Sequence, residues 1–203
     1  MDTWEKLASE ESIKKTVEAL KKNGIGAVTV DNGAQAKEKV LAMIPQGAEV
    51  MAMSSQTVET LGLTAAINES GNYDSVKTKL SKMDRKTQGG QMQKLGAAPT
   101  WAVGSVHAVT EDGQVLVASN TGSQLGVYAY AAQHVIWVVG TQKIVKDLDE
   151  GRKRVYEYCL VKESARMQKL YNMPSNVSKL LQTSRENIPG RITMILVKEK
   201  IGV

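Results

Sequence analysis

The sequence predicts an α/β protein built on a mostly parallel sheet, with one antiparallel hairpin near residues 106–118. Three observations carry that reading. Helical and extended patterns alternate along the whole 203 residues. Ala48 to Met53 is a near-continuous apolar run, as in a central strand covered on both faces. Asp112-Gly113, a hairpin-turn pair, separates the extended segments Val106–Thr110 and Val115–Ala118.

The elements follow in order. From Asp2 to about Lys22, Trp4, Leu7, Ala8, Ile13, Val17 and Leu20 recur at near-helical spacing, and Asn23-Gly24 ends the helix. Ile25 to Val30 is a short strand. Asn32 caps a helix whose inner face is Ala36, Val40, Leu41 and Ile44, and Pro45-Gln46-Gly47 stops it. After strand 48–53, Ser54-Ser55-Gln56-Thr57 opens a short helix ending near Gly62. Residues 71–98 hold six lysines and arginines and few large apolar groups, and read as a solvated helix with a mobile loop, or as a lid. Strands follow at Trp101–Val103, 106–110 and 115–118, then a helix over Leu125–Ala132 and a strand over His134–Val139. Helices are expected over Lys143–Tyr158, Ser164–Tyr171 and Ser175–Gln182. Pro189-Gly190 turns the chain into a last strand, Arg191–Val197. No repeat or low-complexity segment divides the chain, so residues 1–203 read as one α/β unit that includes a helix–strand–helix part over 1–47.

Composition narrows the function classes. The chain is 42% hydrophobic and 23% charged, with nine Met and no Phe, so Val, Ile, Leu and Met must fill the core. No apolar run approaches the roughly 20 residues of a membrane span, and MDTWEKLASEESIKK lacks the apolar stretch of a signal peptide. One cysteine, Cys159, excludes a disulfide framework and a Cys-ligated iron–sulfur cluster within this chain, and points to a cytoplasmic protein. Cys159 reads as a buried thiol on a helix. Residues 143–203 carry 13 basic and 7 acidic residues, against 13 and 14 in residues 1–142. These basic residues are dispersed and few aromatics interleave with them. That favours a small anionic ligand over nucleic acid.

Glu111 is the sharpest candidate for chemistry, since it closes a strand at a tight turn; an acidic pair at a hairpin tip is otherwise simply solvated. Ser105 and His107 suggest a Ser-His-acid triad, but residues two apart on a strand lie roughly 7 Å apart and residues four apart roughly 13 Å. His107 is therefore a packed or substrate-facing histidine. The polar segment Ser54, Ser55, Gln56 and Thr57 either binds an anion at a strand end or merely caps a helix. Asn120, Gly122, Ser123 and Gln124 form a second polar strand-end loop, and Gly140 to Lys143 a third. A lysine in a first helical turn opposes the dipole, which favours a ligand-facing role for Lys143. Two histidines, one cysteine and no H-x-x-H spacing argue against zinc. A carboxylate-bound Mg²⁺ leaves little sequence trace and stays open.

Five segments together resemble the LUD family, the lactate-utilisation-type domain (lactate utilisation protein C-like). They are SSQTVETLGL at 54–63, GSVHAVTEDG at 104–113, ASNTGSQL at 118–125, HVIWVVGTQKIV at 134–145 and PGRITMILV at 189–197. The resemblance implies a three-layer α/β fold of the NagB/RpiA/CoA transferase-like type, with helices on both faces of the sheet. Thr110-Glu111-Asp112-Gly113 is similar to the Ser-Glu-Asn-Gly motif in which family I CoA transferases carry a nucleophilic glutamate. Two functions are then expected. In one, the protein binds an anionic small molecule (a CoA ester, sugar phosphate or organic acid) at strand C-terminal ends, with acyl or CoA transfer, or sugar-phosphate isomerisation, as the reaction. In the other it is a non-catalytic accessory subunit of a lactate or related 2-hydroxy-acid oxidation system. Either use suits a homo-oligomer or a partner subunit.

Overall fold

The computed structural model describes residues 3–203. The start of the predicted first helix, Asp2, lies outside the described residues. Thr3–Glu5 is a 3-10 turn, and helix α1 spans Glu10–Lys22. The boundary is chemical: the Ser9 hydroxyl accepts the Ser12 N–H, and Glu10 and Glu11 occupy the positive end of the helix. Strand β1 (Gly26–Val30) leads to α2 (Gly33–Met43), where Asn32 Oδ1 accepts the Gln35 N–H at 3.0 Å, the predicted cap. Then come β2 (Glu49–Ala52), α3 (Gln56–Thr60), α4 (Leu63–Asn68), β3 (Asp74–Ser75), α5 (Val76–Ser81) and α6 (Arg85–Ala97). Helix α6 buries none of its residues, in keeping with its polar sequence.

Strand β4 (Trp101–Gly104) is followed by β5 (Ala108–Thr110) and β6 (Val115–Ser119). A π-helical turn over Val127–Ala131 leads to β7 (His134–Gly140), a 3-10 turn over Thr141–Lys143 and β8 (Ile144–Val145). Helix α7 (Leu148–Lys153) runs through a π-helical segment, Arg154–Cys159, into α8 (Leu160–Tyr171). Strands β9 (Lys179–Thr183) and β10 (Ile192–Val197) complete the chain.

Six strands form one sheet in the order β1-β10-β7-β4-β2-β3, and every pair in it is parallel. The hairpin expected near 106–118 is present, but it belongs to a second sheet, β8-β5-β6-β9. Side chains alternate across the parallel sheet. Val50, Ala52, Val103, Ile136, Val138 and Ile195 face α2, α3 and α4. Ala102, Val135, Trp137, Val139, Met194 and Leu196 face Leu20 of α1, the 127–131 turn and the second sheet. The far face of the second sheet packs Ala108, Leu116 and Val145 against Val155. Each large side chain buried this way contributes about 1.5–3 kcal/mol relative to exposure.

Two helix expectations fail, for tertiary reasons. Residues 179–183 form an edge strand rather than part of a helix over Ser175–Gln182. They pair antiparallel with β6, Leu180 opposite Ala118 and Gln182 opposite Leu116, and pairing overrides local propensity. The helix expected from Lys143 begins instead at Leu148, capped by Asp147 Oδ1, because Ile144-Val145 pair with Val109-Thr110. That helix then continues through the π segment, merging with the one predicted at 164–171. Among the described residues no helix is long and apolar enough to cross a membrane.

Strand order also locates a crevice. The chain steps outward from β2 to β3, then returns to β4 on the other side of β2. The connection after β2 packs on one face of the sheet (Val58, Leu63), and the connection after β4 packs on the other (Val106, Val109). Diverging connections leave space beyond the carboxyl ends of the two strands. Gly104 closes β4 here, and a Cβ on it would overlap the Tyr128 hydroxyl. Gly104→Ala is expected to cost about 1–3 kcal/mol in urea unfolding. Tyr128→Phe, which removes the clashing oxygen, is expected to restore part of that loss in the double variant.

Candidate functional site

The crevice is a cleft of about 720 Å³. The ends of β2 and β4 supply Ser54–Thr57 and Ser105–His107, the turn after β7 supplies Lys143, and the loop after β6 supplies Ser119–Gln124 apart from Gly122. Leu160, Glu163 and Arg166 of α8 form the outer wall. Both π-helical segments border the cleft, one through Tyr128 and the other through Val155 and Cys159. Such segments are rare and recur at functional sites.

Lys143 is the central group. It is only 2% exposed rather than an exposed lysine on a helix. Its Nζ donates to Thr57 Oγ1 (3.1 Å), Ser105 Oγ (3.2 Å) and the Val106 carbonyl (3.2 Å). All three are neutral oxygens, and among the described residues Lys143 makes no ion pair. Burial, and then the nearby Arg154 charge, pull its pKa down to about 7.

Behind it, fully buried Arg154 bonds the His107 carbonyl and lies 2.9 Å from Cys159 Sγ, with its guanidinium 5.2 Å from the Tyr158 ring centre. Cys159 is the buried thiol expected, and burial raises its pKa. His107 Nδ1 accepts the Ala118 N–H at 3.1 Å. Burial, with Lys143 and Arg154, pushes the His107 pKa down to about 3. The ring is therefore neutral with its proton on Nε2, a donor on the cleft wall.

The remaining walls are polar. Gly122 takes φ +86°, which favours glycine, and its N–H donates to Ser119 Oγ at 2.9 Å. Asn120 Oδ1 accepts the Ser178 hydroxyl at 3.1 Å, which ties this loop to the approach to β9. Ser55 occupies the position before α3 without a capping side-chain bond, while Ser54 Oγ accepts Lys77 Nζ at 3.0 Å. Lys77 brings residues 71–98 to the rim. Arg166 forms an i,i+3 ion pair with Glu163 at 2.6 Å.

Ser54, Ser55, Gln56, Thr57, His107, Asn120, Ser123, Gln124 and Lys143 thus share one cleft. Three residues singled out in the sequence do not line it. Gly122 shapes its loop from behind. Gly140 ends β7 packed on the Glu199–Ile201 backbone. Glu111 turns toward α1, where Ser12 Oγ donates to it at 2.7 Å and Lys15 Nζ at 2.8 Å. Those two bonds hold its carboxyl below the usual range. Tyr128, Arg154 and the Ser105–Lys143 contact carry no local sequence signal, because each depends on segments far apart in the chain. Among the described residues no group of three or more His, Cys, Asp or Glu is placed to hold a metal ion.

A family model described as the LUD domain matches residues 13–202. Among solved structures, a DUF162 family protein from Deinococcus radiodurans superposes with a TM-score of 0.57 at 13% identity, over 95% of this chain and 99% of that one. At such identity the likeness concerns the fold. No curated protein matches this chain.

Proposed function

This chain belongs to the LUD-domain family, and we propose that its cleft binds a small anionic organic molecule at the carboxyl ends of β2, β4 and β7. One observation carries this reading: Lys143 is buried on the cleft wall against neutral oxygens only. A buried ammonium without a counter-charge is costly, and a bound phosphate or carboxylate offsets that cost. Arg154 adds to the positive field, and His107 Nε2–H and the 119–124 loop add neutral donors. Because an anion stabilises the ammonium form, affinity falls as pH rises past about 7, where Lys143 loses its proton.

The test is a thermal-shift series with inorganic phosphate, ribose 5-phosphate, CoA, acetyl-CoA and lactate, on the natural protein and on Lys143→Met. A ligand at 100 times its Kd stabilises by about 2.7 kcal/mol. The shift is expected in the natural protein and absent in the variant. Equal shifts in both, or none in the natural protein, would sink the reading. Glu111 has no part in it, since its carboxylate is committed to Ser12 and Lys15.

A second reading, the accessory subunit of a lactate or related 2-hydroxy-acid oxidation system, is favoured by Val161, Leu170, Tyr171 and Met173. These apolar side chains stand exposed on and just beyond α8. Its mark would be a stable partner recovered from the native host whose capture is indifferent to Lys143→Met.

A further inference from the structure

We infer that Ser105 and Lys143 form a nucleophile–base pair, so that the anionic molecule bound in the cleft is an ester or thioester attacked at its acyl carbon. This rests on the binding reading above and adds a reaction to it: the Arg154 field and the 119–124 loop hold the anionic end of the ligand while Lys143 acts on Ser105 as its free amine. Ser105 directly follows β4 and lines the cleft. Its Oγ lies 3.2 Å from Lys143 Nζ, at the reach expected of a base and the hydroxyl it activates. His107 cannot take that role, because its Nδ1 is occupied by the Ala118 N–H.

The three contacts of Lys143 suit a neutral amine. Such an amine has two N–H donors and one lone pair. The Val106 carbonyl can only accept, so it takes one N–H, and we assign the other to Thr57 Oγ1. The lone pair is left facing the Ser105 hydroxyl. With a pKa near 7 a large share of Lys143 is already free amine at neutral pH, where an exposed lysine would be almost wholly charged.

The chemistry closes on these groups and water. Ser105 Oγ attacks the acyl carbon while its proton moves to Lys143 Nζ. The carbonyl oxygen becomes an oxyanion, for which His107 Nε2–H is the neutral donor on the same wall. Collapse breaks the bond to the alcohol or thiol, which leaves with the proton from the Lys143 ammonium. Water then attacks the acyl-serine ester, Lys143 takes its proton, and that proton returns to Ser105 as the acid departs. An alcohol or thiol in place of water makes the second half a transfer.

The test labels the intact protein with a fluorophosphonate and locates the adduct by peptide mass, beside turnover of p-nitrophenyl acetate and acetyl-CoA. The expected result is one adduct, on Ser105, with a labelling rate that rises as pH passes through about 7. Lys143→Met is expected to slow labelling about 100-fold or more, and Ser105→Ala to abolish it. No adduct on the natural protein, an adduct on another residue, or a rate flat in pH would overturn the pair. Should Ser105→Ala fail to fold, the adduct mass on the natural protein still decides. The thermal shift of the natural protein with CoA and phosphate separates the two ideas. Shift without adduct removes the pair and keeps the binding site, and neither removes both.

Discussion

Replacing Lys143 by methionine is expected to stabilise the protein at neutral pH by an amount on the order of a few kcal/mol, because it removes a buried charge that has no counter-charge. The gain is expected to vanish in alkali. The unfolded lysine holds its proton to about 10.5, and the folded one gives it up near 7. Between those values the unfolded chain binds more protons, so the stability of the natural protein climbs with pH across that window. Below 7 both states are protonated and the full cost of burial is present. Above 10.5 both are neutral and the cost is gone. Methionine has no proton to exchange, so this contribution is absent from its profile. Urea unfolding at pH 6, 8 and 10 checks this: the variant's advantage must be largest at pH 6 and shrink at each step. A constant difference would mean that Lys143 titrates like an exposed lysine, and would weaken the binding and nucleophile–base readings together. A residue that lowers stability at working pH and lines a cleft has a functional reason to stay.

The parallel sheet was legible because its signals are local. Apolar runs at 48–53 and 134–139, the Asn32 cap and the Pro45 stop each act within a few residues, and β2, β7 and α2 lie where those signals put them. Strand β9 was not legible, since Lys179–Thr183 is extended only because β6 offers it a ladder. The same contrast runs through the site. Polar strand-end loops at 54–57 and 120–124 stand out in the sequence. Lys143 looked like a helix residue because nothing near it reveals that Ile144-Val145 pair with β5 and turn its side chain inward. Glu111 is the opposite case: its surrounding motif is suggestive, but α1 lies over the hairpin tip and brings Ser12 and Lys15 to it from about 100 residues away. Where chemistry depends on two distant segments meeting, one-dimensional reading stops.

Arg191→Met is expected to cost about 3–5 kcal/mol, the loss typical of removing one partner from a buried ion pair. The side chains of Arg191 and Glu186 are 4% and 9% exposed, and their charged atoms lie 2.7 Å apart. Burial works against the Glu186 carboxylate, but the Arg191 guanidinium and the Ile188 and Asn187 amides outweigh it and hold its pKa low. Stability from this group is therefore present above the ordinary carboxylate range and lost as pH falls through the lowered folded pKa. The guanidinium also donates to the carbonyls of Ala132 (3.0 Å) and Tyr128 (2.6 Å). Tyr128 lies in the π-helical turn and Ala132 directly ends it, and this turn sets Tyr128 against Gly104, so the variant strikes both the core and the wall of the cleft. Methionine leaves a buried carboxylate and two orphaned carbonyls. Adding Glu186→Gln removes the stranded charge and is expected to recover part of the loss, but not the bonds to the turn. Urea unfolding of the two single variants and the double variant measures the coupling. Strictly additive losses would show that Arg191 acts through the turn alone. A single-variant loss under 1 kcal/mol would mean that the pair is far more hydrated than its burial indicates.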